Sequence, residues 1–377
     1  MLTVIAEKEN IDENNGKILI KDKSDCNHIQ NVYRLNVGHE LRIIDGEYEY
    51  FTEITQISKK EVSVKILEKK RELILINDLN LSIHKKQIVG LAGESGSGKS
   101  MTALSIARLL PPHIKEEGQI FLGNTDLTKL KKKALNKIRA EDLSIIFQEP
   151  FRALNPLIRA GKQVEEVLKI HTDLSRQERK EKILSIFDEI GLTDGKDKYH
   201  AYPHQLSGGI NQRIMIAIAA ILKPKLLIAD EPTTALDVTV QKQILNLMKK
   251  LRDKNDTSIL LISHDLALAS EICDYIYVMY AGQIVESGRV HDIFSLPKHP
   301  YTKALLKAIP RVGKKVERLY VIDGAAPRLT DKIRGCAFYP RCNEKSDICM
   351  LEQIPLCSLD DGSRVRCIKY TNGDNIN

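Results

Sequence analysis

The residues with the clearest chemical potential are Gly93-Glu94-Ser95-Gly96-Ser97-Gly98-Lys99-Ser100, which fit the phosphate-binding pattern G-x-x-x-x-G-K-S. Glycines at that spacing let backbone N–H groups turn onto phosphate oxygens, and a helix opening there adds favourable dipole potential. Lys99 is placed to reach β- and γ-phosphates and Ser100 to ligate Mg²⁺, with Met101 next along the same helix. Further on, the apolar run Leu226-Leu227-Ile228-Ala229 ends in two acids, Asp230 and Glu231. A buried strand delivering Asp230 beside the phosphate loop can hold Mg²⁺, and Glu231 is then placed to polarise an attacking water. Alone, the loop pattern specifies only a nucleoside triphosphatase, and an apolar run ending in acids also fits an exposed strand end.

For these side chains to meet, the loop needs a strand before it and a helix after it. Ile88–Ala92 is apolar enough for a buried strand. Ser100, Thr102, Leu104, Ala107 and Leu109 read as a helix that Pro111-Pro112 stops. Residues 61–290 continue to mix strand-like runs with helical patterns, as an α/β domain does. Residues 1–60 alternate short β-type runs (Lys17–Ile20, Glu40–Ile44, Tyr48–Ile57) with turn signals such as Asp45-Gly46, which predicts a small β-rich module. Residues 291–377 are rich in Pro, Cys and turns and read as a C-terminal extension. The Lys-rich stretch Lys129–Arg139 reads as a solvated helix face, with partner contact as the alternative.

Composition narrows the function classes. No stretch approaches the roughly 20 apolar residues of a membrane helix; the longest apolar run, Ile214–Leu222, is nine residues. Met1–Gly16 is polar and acidic, unlike a signal segment. The expectation is a soluble, cytoplasmic protein unless it docks on a membrane partner. The net charge of +7 divides into −3 for residues 1–60 and +10 for the remainder, a surplus too weak to indicate nucleic acid. Five of the seven Cys fall in the last 42 residues, which in a cytosolic chain suggests metal or iron–sulfur ligation before disulfides.

Leu206-Ser207-Gly208-Gly209-Ile210-Asn211-Gln212-Arg213 separates the two parts of the candidate site. Ser207, Gly208 and Gly209 open a helix whose N-terminus can bind phosphate. The tetrad resembles the signature of ATP-binding-cassette (ABC) ATPases, and its neighbours occur in that family's order. Gln148, in Ile145-Ile146-Phe147-Gln148-Glu149-Pro150, resembles the Q-loop that senses Mg²⁺ and the γ-phosphate and touches the membrane subunit; Glu149 stands where Asp is frequent. Ala235-Leu236-Asp237 resembles the D-loop, and His264, in Leu261-Ile262-Ser263-His264-Asp265, the switch histidine. The resemblance spans residues 62–290 and implies an α/β fold: a P-loop ABC nucleotide-binding domain with a helical signature subdomain. It further implies that Ser207–Gly209 close over ATP held by a second cassette. ATP and Mg²⁺ are the implied cofactors, and Glu231 and His264 the implied catalytic pair. Family spacing puts Ile66, 33 before Lys99, where an aromatic residue usually stacks on adenine; an aliphatic residue there forgoes about 1 kcal/mol.

The tail resembles one branch. His299-Pro300-Tyr301-Thr302-Lys303-Ala304-Leu305-Leu306, Gly324-Ala325-Ala326-Pro327 and Gly335-Cys336-Ala337-Phe338-Tyr339-Pro340-Arg341-Cys342 are similar to the C-terminal region of oligopeptide, dipeptide and nickel importer ATPases. Met101-Thr102-Ala103-Leu104-Ser105 and Ala153-Leu154-Asn155-Pro156 fit the same branch, D-type member. The implied partners are a second ATPase, two permeases and an external solute-binding protein, with peripheral attachment to the cytoplasmic side of the membrane and no nucleic acid. A soluble ABC ATPase acting on ribosomes or nucleic acid is the alternative. Cys336, Cys342, Cys349 and Cys367 match cysteines that hold a four-iron four-sulfur cluster in some relatives. Cys357 competes as fourth ligand, and zinc or unliganded thiols remain the alternatives. Cys26 and Cys273 read as ordinary buried residues.

The N-terminus is of another kind. His28-Ile29-Gln30-Asn31-Val32-Tyr33-Arg34-Leu35, Gly38-His39-Glu40, Asp45-Gly46 and Glu53-Ile54 resemble the β-barrel (PUA-like) RNA-binding domain of 16S ribosomal RNA uridine methyltransferases, with Tyr33 in place of the usual Leu. The knotted catalytic domain of that family is absent, so no methylation is expected, and the local charge of −3 argues against RNA binding. The join is expected near residues 58–66, either as a natural fusion with a vestigial barrel or as a gene-prediction or recombination artefact.

Overall fold

The computed structural model describes residues 2–5, 10–12, 15–21, 25–26, 29, 31, 34–44, 48–58, 61–71, 74–112, 114–234, 236–309, 320–328, 331, 333–351 and 353–371. They form two compact units, Met1–Ile74 and Leu75–Asn377.

The first unit is a six-stranded sheet of β1 (Leu2–Ile5), β2 (Ile11–Asp12), β3 (Lys17–Ile20), β4 (Glu40–Ile44), β5 (Tyr48–Ile57) and β6 (Val62–Arg71). Its order is β1-β4-β5-β6-β3-β2, with β1 parallel to β4 and the other pairs antiparallel. Alternate residues build its core: Ile18 and Ile20, Leu41 and Ile43, Val62 and Val64, with Tyr50 and Ile54 between them. The expected Asp45-Gly46 turn and much of the stretch 28–33 lie outside the described residues.

The structure departs from two expectations about the join. The β-rich unit continues past residue 60, because β6 lies between β5 and β3 in its sheet. Val62 and Val64 bury the side chains that complete the N-terminal core, and Lys65 stands opposite Glu53 on β5. Ile66 pairs with Thr52 in this sheet, so it belongs to the N-terminal core and not to a first cassette strand. The segment that follows, 75–87, holds no strand among the described residues; Ile76, Leu79, Leu81 and Ile83 instead pack their apolar side chains on the second unit's core.

That second unit is built on β7 (Ile88–Ala92), with a small ladder of β8 (Phe121–Leu122) and β9 (Thr125–Asp126) beside it. The larger strands follow as β10 (Leu143–Ile146), β11 (Leu226–Asp230), β12 (Ser258–Ser263), β13 (Tyr275–Tyr280), β14 (Gln283–Arg289), β15 (Cys357–Ser358) and β16 (Arg364–Val365). The eight-stranded sheet runs β10-β11-β12-β7-β13-β14-β16-β15, parallel from β10 through β13 and antiparallel beyond. β7 and β12 are buried at every residue, as strands covered on both faces must be. Ala92, Ala229, Leu261 and Val278 point into one core, and Leu91, Ile228, Leu260 and Tyr277 into the other. The first core also takes the helices Ala160–His171, Arg176–Glu189 and Gly208–Ala220, which form the helical subdomain. The C-terminal extension is joined to this unit: Val365 and Arg364 of β16 pair with Glu286 and Ser287 of β14. Among the described residues no helix is long and apolar enough to cross a membrane.

Candidate functional site

The parallel register aligns the carboxyl ends of three strands. Asp230 pairs with Ile262, and Ser263 with Ala92, so Gly93, Asp230 and His264 leave the sheet at one edge. In parallel α/β sheets that edge is where ligands bind.

The phosphate loop turns there under tight constraint. A Cβ on Gly93 would stand 2.1 Å from the Met279 carbonyl oxygen. Gly98, at the entry to the helix Lys99–Ile106, has φ 106°, a conformation open to glycine. Ser95 and Gly96 form the exposed tip, and the Ser97 side chain is buried beneath it. Lys99 is 5% exposed; its Nζ donates to the carbonyls of Gly93 and Glu94, both at 2.8 Å, and lies 3.5 Å from Ser97 Oγ. Burial pushes its pKa below the usual ammonium value, opposed by the nearby carboxylates of Glu231, Asp230 and Glu94.

Asp230, 7% exposed, receives a hydrogen bond from the Ser100 hydroxyl, while its Oδ1 is buried without a protein partner. Burial raises its pKa, partly offset by Ser100 and raised further by Glu231. A buried carboxylate oxygen left open beside a serine hydroxyl suits a hard divalent cation such as Mg²⁺. Glu231 has φ 46°, the left-handed region uncommon for a non-glycine residue, and its N–H donates to the Ile262 carbonyl at 3.0 Å. Its carboxylate accepts from Gln148 Nε2 at 2.8 Å and Thr234 Oγ at 2.9 Å, and meets His264 Nδ1 at 3.1 Å. Burial would raise the Glu231 pKa, but hydrogen bonds from His264 and Thr234 hold it below the usual carboxylate range. It is therefore an ionised base at neutral pH.

Lys99, Ser100, Gln148, Asp230, Glu231 and His264 thus share one site. Met101, half-buried, sits in the first turn of the helix. Ser207 is the N-cap residue of the helix Gly208–Ala220, and Asp237 caps Val238–Asn255 by accepting from the Val240 N–H at 3.0 Å. Among the described residues no hydrogen bond or ion pair joins Ser207, Gly208, Gly209 or Asp237 to the phosphate loop. Ala235, in the same stretch as Asp237, lies outside the described residues. Thr234 was missed by the sequence reading, although it follows Glu231 by three positions. Also missed was Arg341, which contacts Glu94 from 247 positions away and leaves no local signal.

In the C-terminal extension Cys336, Cys342, Cys349 and Cys367 line one cavity together with His299, Phe338 and Ile354. Burial pushes the Cys336 thiol up to about 11, with the three other thiols adding to the shift. Cys357 lies outside that lining, its thiol facing the Pro355 carbonyl at 3.7 Å. Among the described residues no three Cys, His, Asp or Glu side chains are grouped as a single metal ion requires. Cys26 and Cys273 are buried, and the Cys26 thiol faces the Ile20 carbonyl at 3.3 Å.

A parallel sheet carrying this loop, this acid pair and a signature helix defines an ATP-binding cassette. The ABC transporter family model matches residues 76–234, the model for the oligopeptide/dipeptide transporter C-terminal region matches 285–349, and that for the RNA methyltransferase PUA domain matches 20–67. The oligopeptide transport ATP-binding protein AppD of Bacillus subtilis is 42% identical over 318 residues, covering 84% of this chain and 97% of AppD. OppD of Escherichia coli, an oligopeptide transport ATP-binding protein, is 40% identical over 83% of this chain and 93% of its own length. DppD of the same organism, a dipeptide transport ATP-binding protein, is 42% identical over 78% and 90%. A dimeric ATP-binding cassette solved in a post-hydrolysis state with ADP and phosphate aligns with TM-score 0.53 at 28% identity, covering 63% of this chain and 96% of that one. The chain belongs to the ABC ATPases of the oligopeptide and dipeptide transporter family, with an added N-terminal β-rich unit.

Glu231→Gln should leave ATP binding within about twofold of the parent and lower turnover by about 10² or more, measured as phosphate release at saturating ATP. In the parent, the loss of turnover that Glu231 protonation causes should lie beneath the ordinary glutamate value of about 4.3, because its lowered pKa keeps the base form present above it.

Proposed function

We propose that this chain hydrolyses ATP to drive peptide import through membrane-embedded partner subunits. The observation that carries the reading is the gathering of Lys99, Ser100, Asp230, Gln148, Glu231 and His264 at the carboxyl edge of the sheet, with Ser100 bonded to Asp230 and with Gln148 and His264 bonded to Glu231. The relatives, named for oligopeptide and dipeptide transport, supply the solute class.

In this mechanism Gly93–Ser100 and Met101 cradle the phosphates, and Lys99 neutralises the β- and γ-oxygens. Ser100, Asp230 and Gln148 are the residues that would hold Mg²⁺, which would supply charge neutralisation at the phosphates. Glu231 accepts a proton from the attacking water, and His264 stabilises charge developing on the γ-phosphate. Ser207, Gly208, Gly209 and Asp237 serve the site of a second cassette; Ser207 opens the helix Gly208–Ala220, whose N-terminus can bind phosphate, which supports that assignment. The exposed Phe147, Phe151 and Leu157 flank Gln148 in sequence and offer apolar surface to a permease. The chain thereby sits peripherally on the cytoplasmic face, paired with a second ATPase, two permeases and an external solute-binding protein. Residues 1–74, 75–290 and 291–377 act as the β-rich unit, the nucleotide-binding domain and the C-terminal extension.

We infer that the cysteine cavity holds an iron–sulfur cluster; what supports the reading is that four thiols line one cavity. Cys336, Cys342, Cys349 and Cys367 would be the ligands, and a bound cluster would cross-link a segment with little regular structure.

Cells lacking this gene should lose uptake of a labelled di- or oligopeptide, regained with the parent and not with Glu231→Gln. Unchanged uptake of peptides of every length would contradict the importer role. Anaerobically purified protein should contain iron and acid-labile sulfide, lost in Cys342→Ser and retained in Cys357→Ser; zinc without sulfide would contradict the cluster.

A further inference from the structure

Glu94 is the second residue of the phosphate loop, and the C-terminal region grips it at three atoms. Arg341 donates from Nη1 to Oε2 at 2.7 Å and from Nη2 to Oε1 at 3.0 Å, the two-pronged geometry in which an arginine fork matches a carboxylate. The Tyr301 hydroxyl accepts from the Glu94 backbone N–H at 2.9 Å.

Arg341 is itself held in place. Its side chain is 6% exposed, its Nε donates to the Asp323 carbonyl at 3.0 Å, and its guanidinium lies 5.9 Å from the ring centres of Tyr280 and Phe338. Those rings pack with Tyr301 at centre-to-centre distances of 4.5, 5.3 and 5.3 Å. Such a side chain loses little further entropy in making the pair, unlike an exposed ion pair that must be ordered to form.

The grip reaches the phosphate-binding group through the backbone. The Glu94 carbonyl accepts from Lys99 Nζ at 2.8 Å, so Lys99 hangs from a residue fixed by Arg341 and Tyr301. The same short segment carries Cys336 and Cys342 into the cysteine cavity, and Cys342 directly follows Arg341 in the chain.

We propose that Arg341 is a positioning residue for ATP: through Glu94 it holds the phosphate loop in the conformation that presents Lys99, and so links the cysteine cavity to nucleotide affinity. The proposal rests on residues 93–100 being the nucleotide site. Arg341 acts without touching nucleotide, and a lysine in its place supplies the charge without the fork.

The test is the ATP dissociation constant of the full chain by titration calorimetry, with a thermal transition recorded for each variant. Arg341→Gln and Glu94→Gln should each weaken ATP by about tenfold, the double variant should be no weaker than either single, and Arg341→Lys should recover part of the loss. Glu94→Gln conserves side-chain volume, so it reports on the pair even where Arg341→Gln lowers the thermal transition. Losses that add, or affinities within about twofold of the parent for both single variants, would overturn the proposal. Cys342→Ser should weaken ATP in the parent and not in the Arg341→Gln background; equal weakening in both would overturn the link to the cavity. Lys99→Ala separates the two readings. ATP binding that survives it refutes the nucleotide site, whereas its loss alongside parent-like binding by Arg341→Gln and Glu94→Gln refutes only the positioning role.

Discussion

One buried ammonium surrounded by carboxylates organises this cassette. Lys99 is nearly sealed from solvent, which costs free energy unless opposite charge is close. Asp230 and Glu231 supply that charge from the end of β11, while the nearby Glu94 is paired with Arg341. Two carboxylates against one ammonium then leave a negative surplus. The surplus is what suits the site to a divalent cation carried with a polyphosphate. Its geometry depends on the order β11-β12-β7, because only that parallel register brings the three strand ends to a single edge.

The polar neighbours then divide the work between the two acids. Asp230 stays deep, bonded to Ser100 and with one oxygen open. Glu231 leaves the strand on a left-handed residue, which carries its carboxylate outward to Gln148, Thr234 and His264. Burial pushes both carboxyls toward protonation; hydrogen bonding overcomes it at Glu231 and falls short at Asp230. Adjacent residues at one strand end thus acquire opposite pKa shifts because their polar neighbours differ.

Most of this site was legible in the sequence because each part is local: a strand, a turn and the residue after it. The phosphate loop needs only the Ile88–Ala92 strand and the helix from Lys99, and Glu231 needs only the strand before it. What escaped the sequence depends on distant partners. Val62–Arg71 carries β-type alternation that either neighbouring domain could use, and only its pairing with β5 and β3 assigns it to the N-terminal sheet and removes Ile66 from the nucleotide site. Cys367, already in the set of four read from the sequence, lines the cavity, while its competitor Cys357 lies outside that lining. The Arg341–Glu94 pair spans 247 positions, with no periodicity to announce it.

The Mg²⁺ dependence of ATP affinity in Asp230→Asn tests the central claim most directly, because Asn keeps the shape of the side chain and removes the charge. The parent chain should bind ATP more tightly with Mg²⁺ than with a chelator, and Asp230→Asn should lose most of that gain. A variant that kept the full gain would contradict the account, since the buried carboxylate at the end of β11 would then not be what holds the cation.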